Sequence, residues 1–152
     1  MYLARHAAAD WERHLVNPPL SGHGRSQADA MAAICRRLGL VAIRTSPLRR
    51  ARETALRIGA ACGVETREDV RLLEFGEDEP RDAWEGRQAA VWRAEPPCPG
   101  ELWVSHGGVL NAIWGAWGLS VPLRGPVDRH GSVLACGEVW AVAGGRAQRV
   151  SA

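Results

Sequence analysis

Two histidines each follow a short apolar run: Met1-Tyr2-Leu3-Ala4 precedes Arg5-His6, and Leu102-Trp103-Val104 precedes Ser105-His106-Gly107-Gly108. A neutral imidazole nitrogen can attack phosphorus and form a phosphohistidine, which splits one hard displacement into two easier ones. A third run, Leu40-Val41-Ala42-Ile43, leads into Ser46-Pro47-Leu48-Arg49-Arg50. Phosphoryl transfer asks a protein mainly for positioning and for neutralised charge on the equatorial oxygens. Arg5 and Arg50 can grip those oxygens through charge-assisted, bidentate bonds. A protonated His106 adds a donor, and the backbone N–H groups of Gly107 and Gly108 open a helix whose N-terminus favours an anion. His6 is the candidate nucleophile.

These residues must be held by elements that the pattern also predicts. In an open α/β sheet the ligand site lies beyond the carboxyl ends of the strands, where all three runs deliver their polar residues. Ser21 to Leu38 carries Ala28, Met31, Ala32, Cys35 and Leu38 at helical spacing, with Gly39 as a stop. Ser46 is expected to cap a second helix with Pro47 in its first turn, burying Ala51, Thr54, Ala55, Ile58 and Cys62 and ending at Gly63. Glu65 to Gly100 reads as irregular, with a short helix around Arg87 to Arg93. Leu102 to Ser105 then enters a helix with Val109, Leu110, Ile113, Trp114 and Trp117 as its apolar positions. Ser132 to Ala135 reads as apolar extended chain, and Val139 to Val142 turns through Gly144-Gly145 into Arg146 to Val150 as an edge hairpin. This order predicts a three-layer α/β/α sandwich with a mostly parallel central sheet and an antiparallel edge hairpin, formed as one domain over residues 1–152.

Composition narrows the partners. The chain has 152 residues and a formal net charge of +2, too small to drive nucleic-acid or membrane binding by bulk electrostatics, although its 19 basic residues are all arginine. No apolar stretch reaches the roughly twenty residues that span a bilayer. The four cysteines, Cys35, Cys62, Cys98 and Cys136, lack C-x-x-C spacing and no signal peptide is visible, so reduced thiols in a cytoplasmic protein are expected. A metal site is disfavoured because His6 and His106 come with arginines rather than carboxylate ligands. The expected partner is a small phosphorylated substrate, with no cofactor.

Taken together, Leu3-Ala4-Arg5-His6, Pro19-Leu20-Ser21-x-x-Gly24-Arg25-x-Gln27-Ala28, Ser46-Pro47-Leu48-Arg49-Arg50-Ala51-Arg52-Glu53-Thr54-Ala55 and Val104-Ser105-His106-Gly107-Gly108-Val109 resemble the histidine phosphatase superfamily, the phosphoglycerate mutase-like clan. The resemblance covers about the first 60 residues and Leu102 to Ile113, in the family's order. It implies that His6 is phosphorylated and that Arg5, Arg50 and His106 complete a phosphate pocket, to which the helix start adds the N–H of Gly107. Arg50 is preferred to Arg49 because it directly precedes the motif's alanine, and it shares a helix face with Thr54. The proton donor implied is a glutamate of a Leu-x-Glu segment shortly before Phe-Gly, which selects Glu74, with Glu77 and Asp78 as rivals. Such a donor should have its pKa raised by burial or a neighbouring charge.

The departures from the family pattern concern the substrate. Ala7-Ala8-Ala9 stands where the family often has Gly-Glu-Thr, and Trp11 alone matches in the segment that follows. The stretch from Gly86 to Gly100 is shorter than the substrate-covering insertion of many members, which predicts an open pocket and hydrolysis rather than mutase chemistry. Trp84-Glu85-Gly86 with Ser-His-Gly-Gly looks most like the α-ribazole phosphatase and small phosphatase branch. The alternatives are a phosphohistidine protein phosphatase, a phosphoglycerate mutase-like phosphotransferase, or a non-catalytic phosphate-binding domain. Asn17, His14 and His23 are possible rim residues that read more simply as surface loop. Trp103, Trp114, Trp117 and Trp140 read as core, whereas Trp11, Trp84 and Trp92 are candidates for a wall against a ring-bearing substrate.

Overall fold

The computed structural model describes residues 1–12, 16–74, 79–95, 98–120 and 132–151. Its strands are β1 (Tyr2–Arg5), β2 (Ala42–Thr45), β3 (Thr66–Glu68), β4 (Glu101–Ser105), β5 (Val139–Ala143) and β6 (Arg146–Arg149). They form one six-stranded sheet of order β3-β2-β4-β1-β5-β6. The first four strands run parallel, and β5 and β6 add antiparallel at one edge. The β5–β6 turn uses Gly144 and Gly145, both at positive φ (56° and 73°), the pair of conformations a two-residue hairpin of matching twist requires.

Alternation along the strands sends side chains to opposite faces. Leu3 and Trp103 point into a core with α3 (Arg81–Ala94) and α4 (Gly107–Ala116), while Ala4, Ile43, Leu102 and Val104 point into a second core with α1 (Gly22–Cys35) and α2 (Arg49–Cys62). Helices on both faces of the sheet make the three layers expected.

The helix α1 begins directly after Ser21, where the apolar spacing predicts a helix. Ser21 Oγ accepts from the Gly24 N–H at 3.0 Å, and Ala28, Met31, Ala32 and Cys35 are buried. Gly24 is required by contact: a Cβ there would lie 1.8 Å from the Ala8 carbonyl oxygen. Gly63 ends α2 in the left-handed conformation at φ 67°.

Three expectations about the elements are corrected. Ser46 does not cap α2, which starts three residues later behind Leu48; the Ser46 hydroxyl is instead drawn into the site. The stretch from Glu65 to Gly100 is more ordered than its composition suggests, holding β3, a 3₁₀ turn at Val70–Leu72 and a fourteen-residue α3. Helix α3 survives Gly86 and its charged residues because Trp84, Gln88 and Trp92, four residues apart, bury one stripe. Ser132 to Ala135 is irregular chain, since its backbone turns to face the site, where the Leu134 carbonyl accepts from Arg5.

Trp92 is a core residue, 0% exposed, rather than a wall, whereas Trp84, 4% exposed, packs in the core with one edge lining a cleft between α3 and α4. Trp92 packs on Trp103 at 5.1 Å between centroids and Trp103 on Trp117 at 5.7 Å. The Trp117 Nε1–H donates to the Trp92 carbonyl, so the indoles are buried with a polar handle satisfied. Among the described residues no helix is long and apolar enough to cross a membrane.

Candidate functional site

Parallel register brings the two histidines together. Arg5 pairs with Ser105 across β1 and β4, so the next residue of each strand is a histidine leaving the sheet at the same end. The His6 N–H still donates to the Ser105 carbonyl at 3.0 Å, and the Ser46 N–H to the Val104 carbonyl at 3.0 Å, so the ladder holds the chain one residue beyond the strands. The ring centroids of His6 and His106 lie 5.1 Å apart.

The tautomer of His6 follows from its partners. Its Nδ1 lies 2.8 Å from the Ala7 carbonyl oxygen, which can only accept, so Nδ1 carries the proton and Nε2 keeps its lone pair. Arg50 donates to that lone pair from Nε at 3.3 Å. Burial, and then the charges of Arg50 and Arg5, push the His6 pKa down to about 3 against the raising effect of the Ala7 carbonyl. The ring is therefore neutral at pH 7.

The loop after β1 is tied to both neighbouring helices. The Ala7 N–H donates to Thr54 Oγ1 of α2 at 3.1 Å, the Ala8 N–H to Gln27 Oε1 of α1 at 2.8 Å, and the Leu20 N–H to Glu53 Oε2 at 2.9 Å. Thr54 in turn donates to the Arg50 carbonyl at 2.7 Å. One turn of α2 thus positions both the arginine and the backbone next to His6.

Arg50 is 2% exposed and reaches Glu74 with Nη2, while its Nη1 is buried without a hydrogen-bond partner among the described residues. The exposed ring of Trp11 covers its guanidinium at 5.0 Å. Arg49 points away: its side chain is half exposed and lies 3.5 Å from Glu53. The geometry therefore places Arg50, not Arg49, beside the histidines. Arg5 is buried and donates from Nη1 to the Leu134 carbonyl at 2.9 Å.

Glu74 arrives from the segment after β3. Asp69 caps the 3₁₀ turn by accepting from the Arg71 N–H at 3.0 Å, Leu72 is fully buried, and Ser105 Oγ donates to the Leu72 carbonyl at 2.8 Å. Around this anchor Arg44 pairs with Glu95 and Glu101, each at 3.0 Å, and Arg71 pairs with Asp69 at 2.6 Å and Glu95 at 2.8 Å. A network of this kind contributes more than isolated surface pairs do. The Glu74 carboxylate that results is 38% exposed rather than buried, and its Oε2 meets both Arg50 and, at 3.4 Å, His106 Nδ1. Glu77 and Asp78 lie outside the described residues, as does His14.

His106 is fully buried, with Nε2 2.8 Å from Ser46 Oγ. Burial, and then the neighbouring His6, Arg50 and Arg5, hold its pKa well below the usual histidine range. The neutral ring is thus favoured over the protonated form expected from the sequence. Gly107 is needed for closeness: a Cβ there would meet Ser132 Oγ at 2.7 Å and the Arg5 guanidinium carbon at 3.4 Å.

His6, His106, Arg5, Arg50, Glu74 and Gly107 therefore converge. Asn17 has a different task, its Oδ1 accepting from the Arg49 N–H at the start of α2, and His23 is exposed on α1. Two residues of the cluster were read from the sequence only as parts of the second helix, Thr54 as a buried position and Ser46 as its cap. Ser46 carried the signal of the histidines, a polar residue one step past the end of a strand.

A cluster of neutral imidazole, arginine and carboxylate suits a transferable anion, and the comparisons agree. The model of the histidine phosphatase superfamily (branch 1) matches residues 1–103. A probable phosphoglycerate mutase of Klebsiella pneumoniae is 40% identical over 80 residues, 49% of this chain and 37% of that protein. Phosphoserine phosphatase 1 of Hydrogenobacter thermophilus is 35% identical over 80 residues, 49% and 38% respectively. These matches span well under half the length of either relative. In fold, the chain resembles a mycobacterial glucosyl-3-phosphoglycerate phosphatase solved with VO3, at a TM-score of 0.69 and 20% identity over 98% of this chain and 96% of that one. With the family model covering more than half its length, the chain belongs to the histidine phosphatase superfamily, branch 1.

Proposed function

We propose that residues 1–152 act as one domain that hydrolyses a small phosphomonoester through a phosphohistidine on His6, without a metal ion. The observation that carries this reading is the guanidinium of Arg50, which touches the lone pair of His6 Nε2 with one N–H and the Glu74 carboxylate with another. An anion on that arginine lies within reach of the histidine nitrogen that has an electron pair to give.

In the first step His6 Nε2 bonds to phosphorus and the P–O ester bond breaks. The departing oxygen takes a proton from the Glu74 carboxyl. In the second step water attacks phosphorus, its proton passes to the Glu74 carboxylate, and the N–P bond breaks to release phosphate. Arg5, Arg50 and the N–H of Gly107 hold the non-bridging oxygens, whose charge grows toward the transition state. Bonds to phosphate also offset the cost of burying two guanidinium groups beside two neutral imidazoles.

The named activities of the relatives set the substrates to try: phosphoserine, 3-phosphoglycerate and glucosyl-3-phosphoglycerate, with α-ribazole 5'-phosphate added from the Trp84-Glu85-Gly86 likeness. Phosphate release from these and from p-nitrophenyl phosphate, in chelator, is expected for the wild type and lost in His6→Ala. Acid-labile phosphate on His6 is expected after rapid quenching. No turnover of any monoester overturns the proposal, and transfer within 3-phosphoglycerate in place of release makes the protein a mutase.

A further inference from the structure

We infer that Ser46 is a positioning residue that fixes the tautomer of His106, so that the neutral ring presents an N–H from Nδ1 to the anion held by Arg50. The inference rests on reading the pocket as an anion site, and its test does not require turnover.

Ser46 sits one residue beyond β2 and is fully buried. Its Oγ has two recorded contacts: the Leu48 N–H donates to it at 3.3 Å, and His106 Nε2 lies 2.8 Å away. A serine hydroxyl has one proton to give and two lone pairs to offer. If Nε2 carried the imidazole proton, both lone pairs of Oγ would be taken by donors, and the hydroxyl proton would find no acceptor among the described residues. The other ring nitrogen would then turn a bare lone pair toward Glu74 Oε2 at 3.4 Å.

Donation from Ser46 to Nε2 removes both conflicts. The hydroxyl proton is used, and the imidazole proton moves to Nδ1, which is buried 3.4 Å from Glu74 Oε2 without a hydrogen-bond partner among the described residues and so has a proton to give a phosphoryl oxygen held by Arg50. The partner of one ring nitrogen decides which nitrogen carries the proton, and here that partner is a buried hydroxyl on a neighbouring strand. The two histidines are then both Nδ1–H tautomers with opposite uses. His6 spends its Nδ1 proton on the Ala7 carbonyl and frees Nε2, whereas His106 spends Nε2 on Ser46 and aims its Nδ1 proton at the anion.

The test is ¹⁵N NMR of the ring nitrogens of His106 in phosphate-free protein at neutral pH. Wild type and Glu74→Ala are both expected to show Nδ1–H, because Ser46 and not the carboxylate sets the tautomer. The double variant Ser46→Ala/Glu74→Ala is expected to lose that preference, and Ser46→Thr in the Glu74→Ala background to keep it. An Nε2–H signal in wild type, or a tautomer switch in Glu74→Ala alone, overturns the assignment. In turnover, Ser46→Ala should lower kcat about tenfold, with Ser46→Thr recovering most of it. Were no monoester hydrolysed, the proposed activity would fall while the NMR result still judged Ser46.

Discussion

Glu74 and His6 share one guanidinium, for the Arg50 Nε–H donates to His6 Nε2 at 3.3 Å while Nη2 of the same group pairs with the Glu74 carboxylate. A carboxylate therefore occupies one donor of the arginine that a phosphoryl group would need. An incoming anion must displace it, and the displaced carboxyl is left next to the departing oxygen.

Glu74→Gln should accordingly split two properties. For alkyl phosphomonoesters kcat is expected to fall by about 10²–10⁴, the usual contribution of a general acid. With p-nitrophenyl phosphate the loss should be far smaller, since nitrophenolate leaves without a proton. Orthophosphate should inhibit the variant more strongly than the wild type because a competing like charge has gone. Equal losses on both substrate types would remove Glu74 from the role of acid.

Arg50→Lys replaces a planar fork, engaged through Nε and Nη2, by a point charge that can reach one partner. We expect kcat/KM to drop by about 10²-fold or more, given the strength of charge-assisted bidentate bonds. Arg49→Lys, at a half-exposed residue whose side chain pairs with Glu53, should stay within about twofold. Steady-state kinetics of the two variants side by side checks the assignment between adjacent arginines.

Acid should weaken the fold through His6. Its pKa falls from 6.5 to about 3 on folding, so between those values the unfolded chain binds a proton that the native protein refuses. Stability is fully present above pH 6.5 and is lost as pH falls toward 3, at a cost on the order of 4 kcal/mol across the window. His106 shifts in the same direction and steepens the slope. Urea unfolding at pH 5 and pH 7 reads this directly, and His6→Gln should flatten the difference.

Gly107→Ala forces a Cβ to within 2.7 Å of Ser132 Oγ and 2.8 Å of Ser132 Cβ, so the start of α4 must shift. A loss of about 1–3 kcal/mol is expected from overpacking, together with weaker phosphate binding. Gly108→Ala meets only the far edge of Trp84 at 3.3 Å and should cost less. Thermal melts with and without phosphate separate the two effects.

Much of the site was legible because its residues stand where strands stop. His6 and His106 each stand one residue past a strand, and parallel register converts that one-dimensional fact into proximity, while Arg50 enters from the first turn of the helix that follows β2. The helix beginning after Ser21 was equally legible, since its apolar residues recur at helical spacing. Ser46 misled because its hydroxyl has a second suitor: local sequence shows the helix that follows but not the imidazole sixty residues away. β3 was hidden for a related reason, as Thr66-Arg67-Glu68 is an edge strand with no apolar alternation to announce it. Trp92 reads as a binding wall only while α3 is taken as too short to bury it.

The sheet order has a consequence for synthesis. β1 and β2 do not touch each other; β4, residues 101–105, lies between them and pairs with both. A nascent chain that has emerged through Leu72 already carries His6, Ser46 and Arg50, yet has no strand to hold them in register. Such long-range parallel pairing is slow to form, because loop closure must come before the contacts that reward it. The capacity to bind phosphate should therefore appear abruptly and late, when β4 inserts, and a chain stopped at residue 95 should carry the nucleophile without the pocket.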